Sequence, residues 1–243
     1  MNHAMKLSLS ALALVTATPA LAAAANQAVV NQQGATQTVL IDQSDQGGNT
    51  ATVIQDGANN KVHVDQANVD HNPPGYRNLA VVVQAGHDNG INNNALIGLL
   101  LPAVRQSNTV ERGAINAVGV QQGGFLNQVG YNQVGQGHAL RITQAGDNNT
   151  LRASQTGAFD NANISQEGSL NFSTIEQSGQ SEQFEGNQHA TDSRMTIVQT
   201  GDLDSAHFDQ SGRDNTLYVV QSGQGATAFV TQGGTDNFTQ IIH

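Results

Sequence analysis

The chain of 243 residues has no cysteine, no tryptophan and only 4 prolines. Without cysteine, disulfide stapling is excluded, and the composition is compatible with an oxidising exterior. Charge is also scarce: Lys, Arg, Asp and Glu together make 12% of the chain, well below the usual share for a soluble domain. The 9 basic residues are scattered under a formal net charge of −10, so no electrostatic surface for nucleic acid is expected. That acidity implies solubility and moderate repulsion between chains. Apolar runs are short: neither residues 7–15 nor residues 95–104 could span a bilayer. No H-E-x-x-H, no G-x-S-x-G and no calcium-binding G-G-x-G-x-D array occurs. Gly123-Gly124 and Gly233-Gly234 read as turn glycines, not a phosphate loop. The histidines lack metal-ligand spacing, and no cofactor is implied.

What is abundant is Gln, Asn, Ser, Thr and 26 glycines, a composition shared by disordered polar tracts and by chains that stack as cross-β. Order decides between them. Eleven glutamines stand eleven residues apart: Gln122, Gln133, Gln144, Gln155, Gln166, Gln177, Gln188, Gln199, Gln210, Gln221 and Gln232. Glycine follows two residues after the glutamine in ten of the eleven units, as at Gly146, Gly157, Gly168 and Gly212; Ala190 is the exception. Asparagine recurs at the fifth position, as at Asn149, Asn171 and Asn215. Positions 5, 7, 9 and 11 after each glutamine alternate as apolar or amide residues, which places them on one face of a strand. Glycine at position 2 fits a turn requiring φ > 0. Each unit is expected to be a strand of five to seven residues plus a turn.

One unit cannot bury its apolar face alone. Two make a strand–turn–strand arch of about 22 residues, and arches can stack about 4.8 Å apart. The expected fold is therefore all-β: a two-sheet parallel β-solenoid, each strand pairing with the next but one. Inward amides are costly unless paired. Stacked at the same height on every rung, they can hydrogen-bond along the array, which is a physical reason for an unbroken glutamine period.

Upstream the pattern continues with faults. Gln32, Gln55, Gly75 and Glu111 lie in further units, with Pro73 and Glu111 in glutamine slots. Gln43 to Gln55 is twelve residues, implying one extra turn residue. Residues 69–74 read as a loop by their prolines. Residues 95–104 are open to three readings: an irregular core rung, a bulged loop packed on the array, or a contact site for another protein. The start reads as a secretory signal: Lys6, the apolar residues 7–15, and Ala20-Leu21-Ala22 as cleavage site before Ala23. Met5 is a candidate start. The expected organisation is residues 1–22 as signal, 23–110 as irregular repeats, and 111–243 as regular repeats.

With these residues in place, the chain resembles the curlins, subunits of bacterial curli amyloid fibres, whose pattern is close to S-x5-Q-x-G-x2-N-x-A-x3-Q. Ser154, Gln155, Gly157, Ala162 and Gln166 follow part of it, with Asp160 in the Asn position. Gln144, Gly146, Asn149 and Gln155 match the Q, G, N and final Q, with Leu151 for Ala; Gln210, Gly212, Asn215 and Gln221 do likewise. The resemblance implies export through a dedicated outer-membrane pore, assembly with copies of itself and a related curlin subunit or nucleator, and an extracellular place on the cell surface as biofilm fibre. Phe184, Gly186 and Met195 depart from the pattern at inward positions.

Asp160, Glu182 and Asp204 occupy the fifth position 22 residues apart and are expected to stack on one side of the arch. Two readings stand: a column that slows assembly near neutral pH, or side chains turned to solvent at the bend. His138 in the same slot reads as a structural substitution. Phe125, Tyr131, Phe159 and Phe208 read as packing residues. The alternative to a fibre subunit is a secreted, soluble β-solenoid adhesin or binding module. An enzyme on a β-helix would need longer coils and a charged cleft.

Overall fold

The computed structural model describes residues 11–17, 26–43, 49–68, 77–91, 104–108 and 115–243. Strands alternate between two parallel sheets. Among the described residues, one runs from Gln27–Ala35 to Thr227–Gln232 and has nine strands; the other has eleven and ends on Phe238–Ile242. Each strand pairs with the next but one in the regular half. Gln155 in Thr150–Ala158 lies opposite Gln177 in Phe172–Gln180, a step of 22 residues. The fold is the expected two-sheet parallel β-solenoid of 22-residue arches.

The inward faces meet in one thin core. Leu151, Ile164, Ile175, Met195, Ile197, Phe208 and Leu217 are fully buried in it. Burial of each large apolar side chain contributes about 1.5–3 kcal/mol. Val, Ile, Leu and Ala recur inward because each rung repeats its neighbour's width.

The strands are longer than expected. Regular units have nine residues in strand, as in Thr150–Ala158 and Asn161–Ser169, and two at the corner. The difference has a cause: the pairing between rungs continues through the corner. Phe159 N donates to Gln136 O at 2.8 Å, and Asn161 N donates to Glu182 O at 2.8 Å. The glycine therefore lies inside the paired segment, and the fourth position makes the turn. That residue takes a positive φ whether it is Asn148 (57°), Phe159 (63°) or Leu203 (63°).

The described ends of the interruption before the regular half pair into the sheet. Gly90–Ile91 and Val104–Asn108 share one level of the eleven-stranded sheet: Ile91 is opposite Val129, and Val104 is opposite Tyr131. Gln106 thereby falls opposite both Gln66 and Gln133. The extra residue after Gln43, the proline loop, residues 95–103, Glu111 and the Ala20-Leu21-Ala22 cleavage site lie outside the described residues. Within the expected signal, Ala11–Ala17 forms a strand parallel to Gln37–Gln43. Among the described residues, no helix is long and apolar enough to cross a membrane.

Candidate functional site

The glutamines form two columns, one in each sheet, and all eleven of the regular array are buried. In the nine-stranded sheet Gln122 donates through Nε2 to Gln144 Oε1 (2.9 Å), Gln144 to Gln166 (2.6 Å), Gln166 to Gln188 (3.0 Å), Gln188 to Gln210 (2.8 Å) and Gln210 to Gln232 (2.8 Å). Upstream, Gln32, Gln55 and Gln84 carry the same column into Gln122. In the other sheet Gln133, Gln155, Gln177, Gln199 and Gln221 are linked at 2.7–3.1 Å. In each of these links Nε2 donates to the following rung, so each column has a direction. A second bond fixes that orientation: Gln155 Nε2 also donates to Ala139 O (3.2 Å), and Gln177 Nε2 to Asn161 O (3.3 Å). Only the amide nitrogen can donate to a carbonyl, so the amide cannot be reversed.

The asparagines line the corners. Asn149 Nδ2 donates to Ala145 O and to Gly168 O, both at 3.1 Å, and its Oδ1 accepts from Asn171 N at 3.1 Å. Asn171 repeats this with Glu167 O, Ala190 O and Ser193 N; Asn215 repeats it with Ser211 O, Gly234 O and Asn237 N. Each side chain thus ties its own turn to the next rung. The opposite corner starts Asn26, Asn49, Asn78, where Asn49 N donates to Asn26 Oδ1 (3.0 Å) and Asn78 N to Asn49 Oδ1 (3.0 Å). Asn26 and Asn49 lie outside the strict eleven-residue frame, but an Asn six residues before a Gln survives the insertion between Gln43 and Gln55 and marks both.

Glycine at the second position answers to close axial approach. A Cβ on Gly146 would stand 2.0 Å from Gly168 O; on Gly157, 1.9 Å from Gly179 O; on Gly168, 2.1 Å from Ala190 O; on Gly212, 2.0 Å from Gly234 O. These glycines also hold φ between 100° and 125°, a backbone that disfavours any side chain, whereas Ala190 in the same slot is not among the positive-φ residues and its Cβ is accommodated.

The acids do not turn to solvent. Asp160, Glu182 and Asp204 are fully buried in one corner with His138, which takes the Asn slot. His138 Nε2 lies 3.1 Å from Val134 O, and its Nδ1 lies 3.3 Å from Asp160 Oδ2. Of the aromatic residues, Tyr131 and Phe208 are inward and buried, whereas Phe125 and Phe159 are exposed. Burial pushes the Tyr131 hydroxyl well above the ordinary tyrosine range. Phe184 explains Gly186: a Cβ on Gly186 would meet the Phe184 ring at 2.4 Å. That ring fills the room and stacks 5.8 Å from Phe208.

Both ends of the core are thinly covered. Ala28 and Val30 at one end, and Val230 and Ile241 at the other, are only partly buried against it. Phe229, Phe238 and Ile242 near the second end are 72%, 67% and 66% exposed. Among the described residues, no group of three or more His, Cys, Asp or Glu is placed to hold a metal ion.

Fold and columns together define a parallel β-solenoid held by axial amide stacking. A protein-family model described as Curlin associated repeat matches residues 146–179 and 190–223. A curlin-repeat domain is therefore present, consistent with the curlin family. No curated protein matches the chain.

Proposed function

We propose that this chain is the subunit of an extracellular, curli-like amyloid fibre that grows by stacking copies end to end. The observation that carries the reading is the pair of open ends. At one end the last rungs leave Val230 and Ile241 partly uncovered; at the other, Ala28 and Val30 are in the same state. Strand edges there offer unpaired main-chain groups to a further chain. The columns are directional, so growth is head to tail. Gln232, whose Nε2 turns to Thr239 Oγ1 at 3.2 Å, would instead donate to Gln32 of the next copy. The buried columns Gln122 to Gln232, with Gly146, Gly157, Gly168, Gly212, Asn149, Asn171 and Asn215, are the assembly-competent core, and residues 111–243 are its regular part.

In this reading residues 1–22 are removed on export and residues 23–110 form a less regular section. Removal takes away Ala11–Ala17 and leaves Gln37–Gln43 as an end strand of its sheet. By family resemblance, the chain passes a dedicated outer-membrane secretion pore, meets a related curlin subunit or nucleator, and serves biofilm cohesion and surface adhesion.

The test is fibrillation of the chain from Ala23 onward after release from denaturant, followed by thioflavin fluorescence and fibre diffraction. Self-seeding fibres with a meridional spacing of about 4.7–4.8 Å are expected. A lasting soluble monomer with β-type circular dichroism would overturn the reading in favour of a binding module.

A further inference from the structure

We propose that the buried corner column Asp160–Glu182–Asp204 is a proton-operated switch: the solenoid closes with a proton held there, so acid favours the stacked state and alkaline conditions loosen these rungs. This rests on the solenoid alone, not on the fibre reading.

The geometry starts from what the slot requires. An asparagine here accepts one backbone N–H from the next rung and donates from Nδ2 to carbonyls. In this same column Asn116 Nδ2 donates to Gly135 O at 3.0 Å, and His138 N donates to Asn116 Oδ1 at 3.0 Å. Asp160 and Asp204 keep the accepting half: Asp160 Oδ1 takes Glu182 N at 3.2 Å, and Asp204 Oδ1 takes Ala226 N at 2.8 Å. The donating half is lost. Asp160 Oδ2, Asp204 Oδ2 and both Glu182 carboxyl oxygens are buried without a hydrogen-bond partner. An ionised carboxyl sets an acceptor where the slot needs a donor. A protonated one restores an O–H donor in the place of the amide.

Charge adds to this. Three carboxylates on successive rungs stand about 4.8 Å apart in a buried corner, where like charges disfavour ionisation. The groups facing Glu182 are Asp160 from the preceding turn and Asp204 from the following one. His138 lies beyond, on the far side of Asp160 at 3.3 Å. The other charged or titratable residues of the adjoining strands, Glu176, Glu185, His189, Arg194, Asp202, His207, Asp209 and Arg213, are not buried with the column. Burial, then Asp160 and Asp204, push the Glu182 carboxyl from 4.5 up to about 8, partly offset by the backbone at Gly201 and Ser178.

The sign follows by linkage. A folded-state value above the unfolded one means that folding takes up a proton between pH 4.5 and about 8. Stability is greatest below that window and falls as pH rises through about 8.

The experiment is an infrared titration of the folded chain, paired with denaturant unfolding from pH 4 to 9. A carboxylic-acid C=O band that vanishes with a midpoint near 8 is expected, and Glu182→Gln should remove it. The folding equilibrium constant should drop by up to about tenfold per pH unit inside the window. In the triple variant Asp160→Asn, Glu182→Gln, Asp204→Asn that slope should vanish. If the triple variant fails to fold, Asn149→Asp decides: an acid in the opposite, amide-lined corner should import a pH slope of its own. No carboxyl titrating above the ordinary carboxylate range, or one pH slope shared by parent and triple variant, overturns the proposal. So does an Asn149→Asp variant with the parent's slope.

Discussion

Gln155 and Gln177 are 22 residues apart in sequence and one rung apart in space, with Nε2 of the first donating to Oε1 of the second at 2.9 Å. The same Nε2 gives its other proton to Ala139 O at 3.2 Å, on the opposite sheet. One amide therefore joins consecutive rungs and also ties the two sheets together. A buried donor or acceptor left without a partner costs about 1–3 kcal/mol.

Replacing Gln177 by Ala leaves one proton of Gln155 Nε2 above, and Gln199 Oε1 below, without the axial partner. The expected loss is about 2–5 kcal/mol, combining two orphaned groups and a small cavity. Ser178→Ala, on the outward face of the same strand, should change stability by less than about 0.5 kcal/mol. Parallel urea or guanidinium titrations of the two variants check this; equal midpoints would remove the glutamine column from the account of stability.

Gly179→Ala should be far more damaging than Gly223→Ala. A Cβ on Gly179 would sit 1.5 Å from Gly201 O, whereas nothing lies within 4 Å of one on Gly223. Both glycines have positive φ, so both substitutions carry backbone strain of about 1–3 kcal/mol. Only the first also forces two rungs apart, and a loss above about 4 kcal/mol is expected. Circular dichroism and hydrogen exchange across residues 172–202 would read the difference.

Leu203 holds φ at 63° while 61% exposed. A left-handed backbone costs a branched residue about 1–2 kcal/mol, and asparagine tolerates it. Leu203→Asn gives up little burial and should raise stability by about 0.5–1 kcal/mol. A lower unfolding midpoint would mean that Leu203 has a packing role its exposure hides.

Phe184 and Gly186 act as a complementary pair. Phe184→Ala should cost about 3–5 kcal/mol by opening a cavity beside Phe208. Adding Gly186→Val refills the space from the neighbouring inward position and should recover part of the loss. The double-mutant cycle should show coupling of about 0.5–3 kcal/mol; strict additivity would mean that the ring does not fill the glycine's space.

The eleven-residue period by itself determined which residues coincide. It fixed the inward face, the pairing of each strand with the next but one, the 22-residue register, and the stacking of Gln on Gln and of Asp160, Glu182 and Asp204 in one column. Coincidence under a period is a local property that a sequence states openly. Which atoms lie within axial reach is not, and only the tertiary structure decided it. Pairing carried through the corner lengthened the strands to nine residues and moved the turn to Phe159 and Leu203. A positive φ of 125° together with close approach between rungs explains Gly157. Pairing also set Gln106 opposite Gln66 and Gln133 although its rung is split between Gly90–Ile91 and Val104–Asn108, because parallel neighbours fix height irrespective of the chain in between. The acids faced inward for the same reason: the corner is set by the backbone of the rungs on either side, and the side chain at that position has no other direction to take.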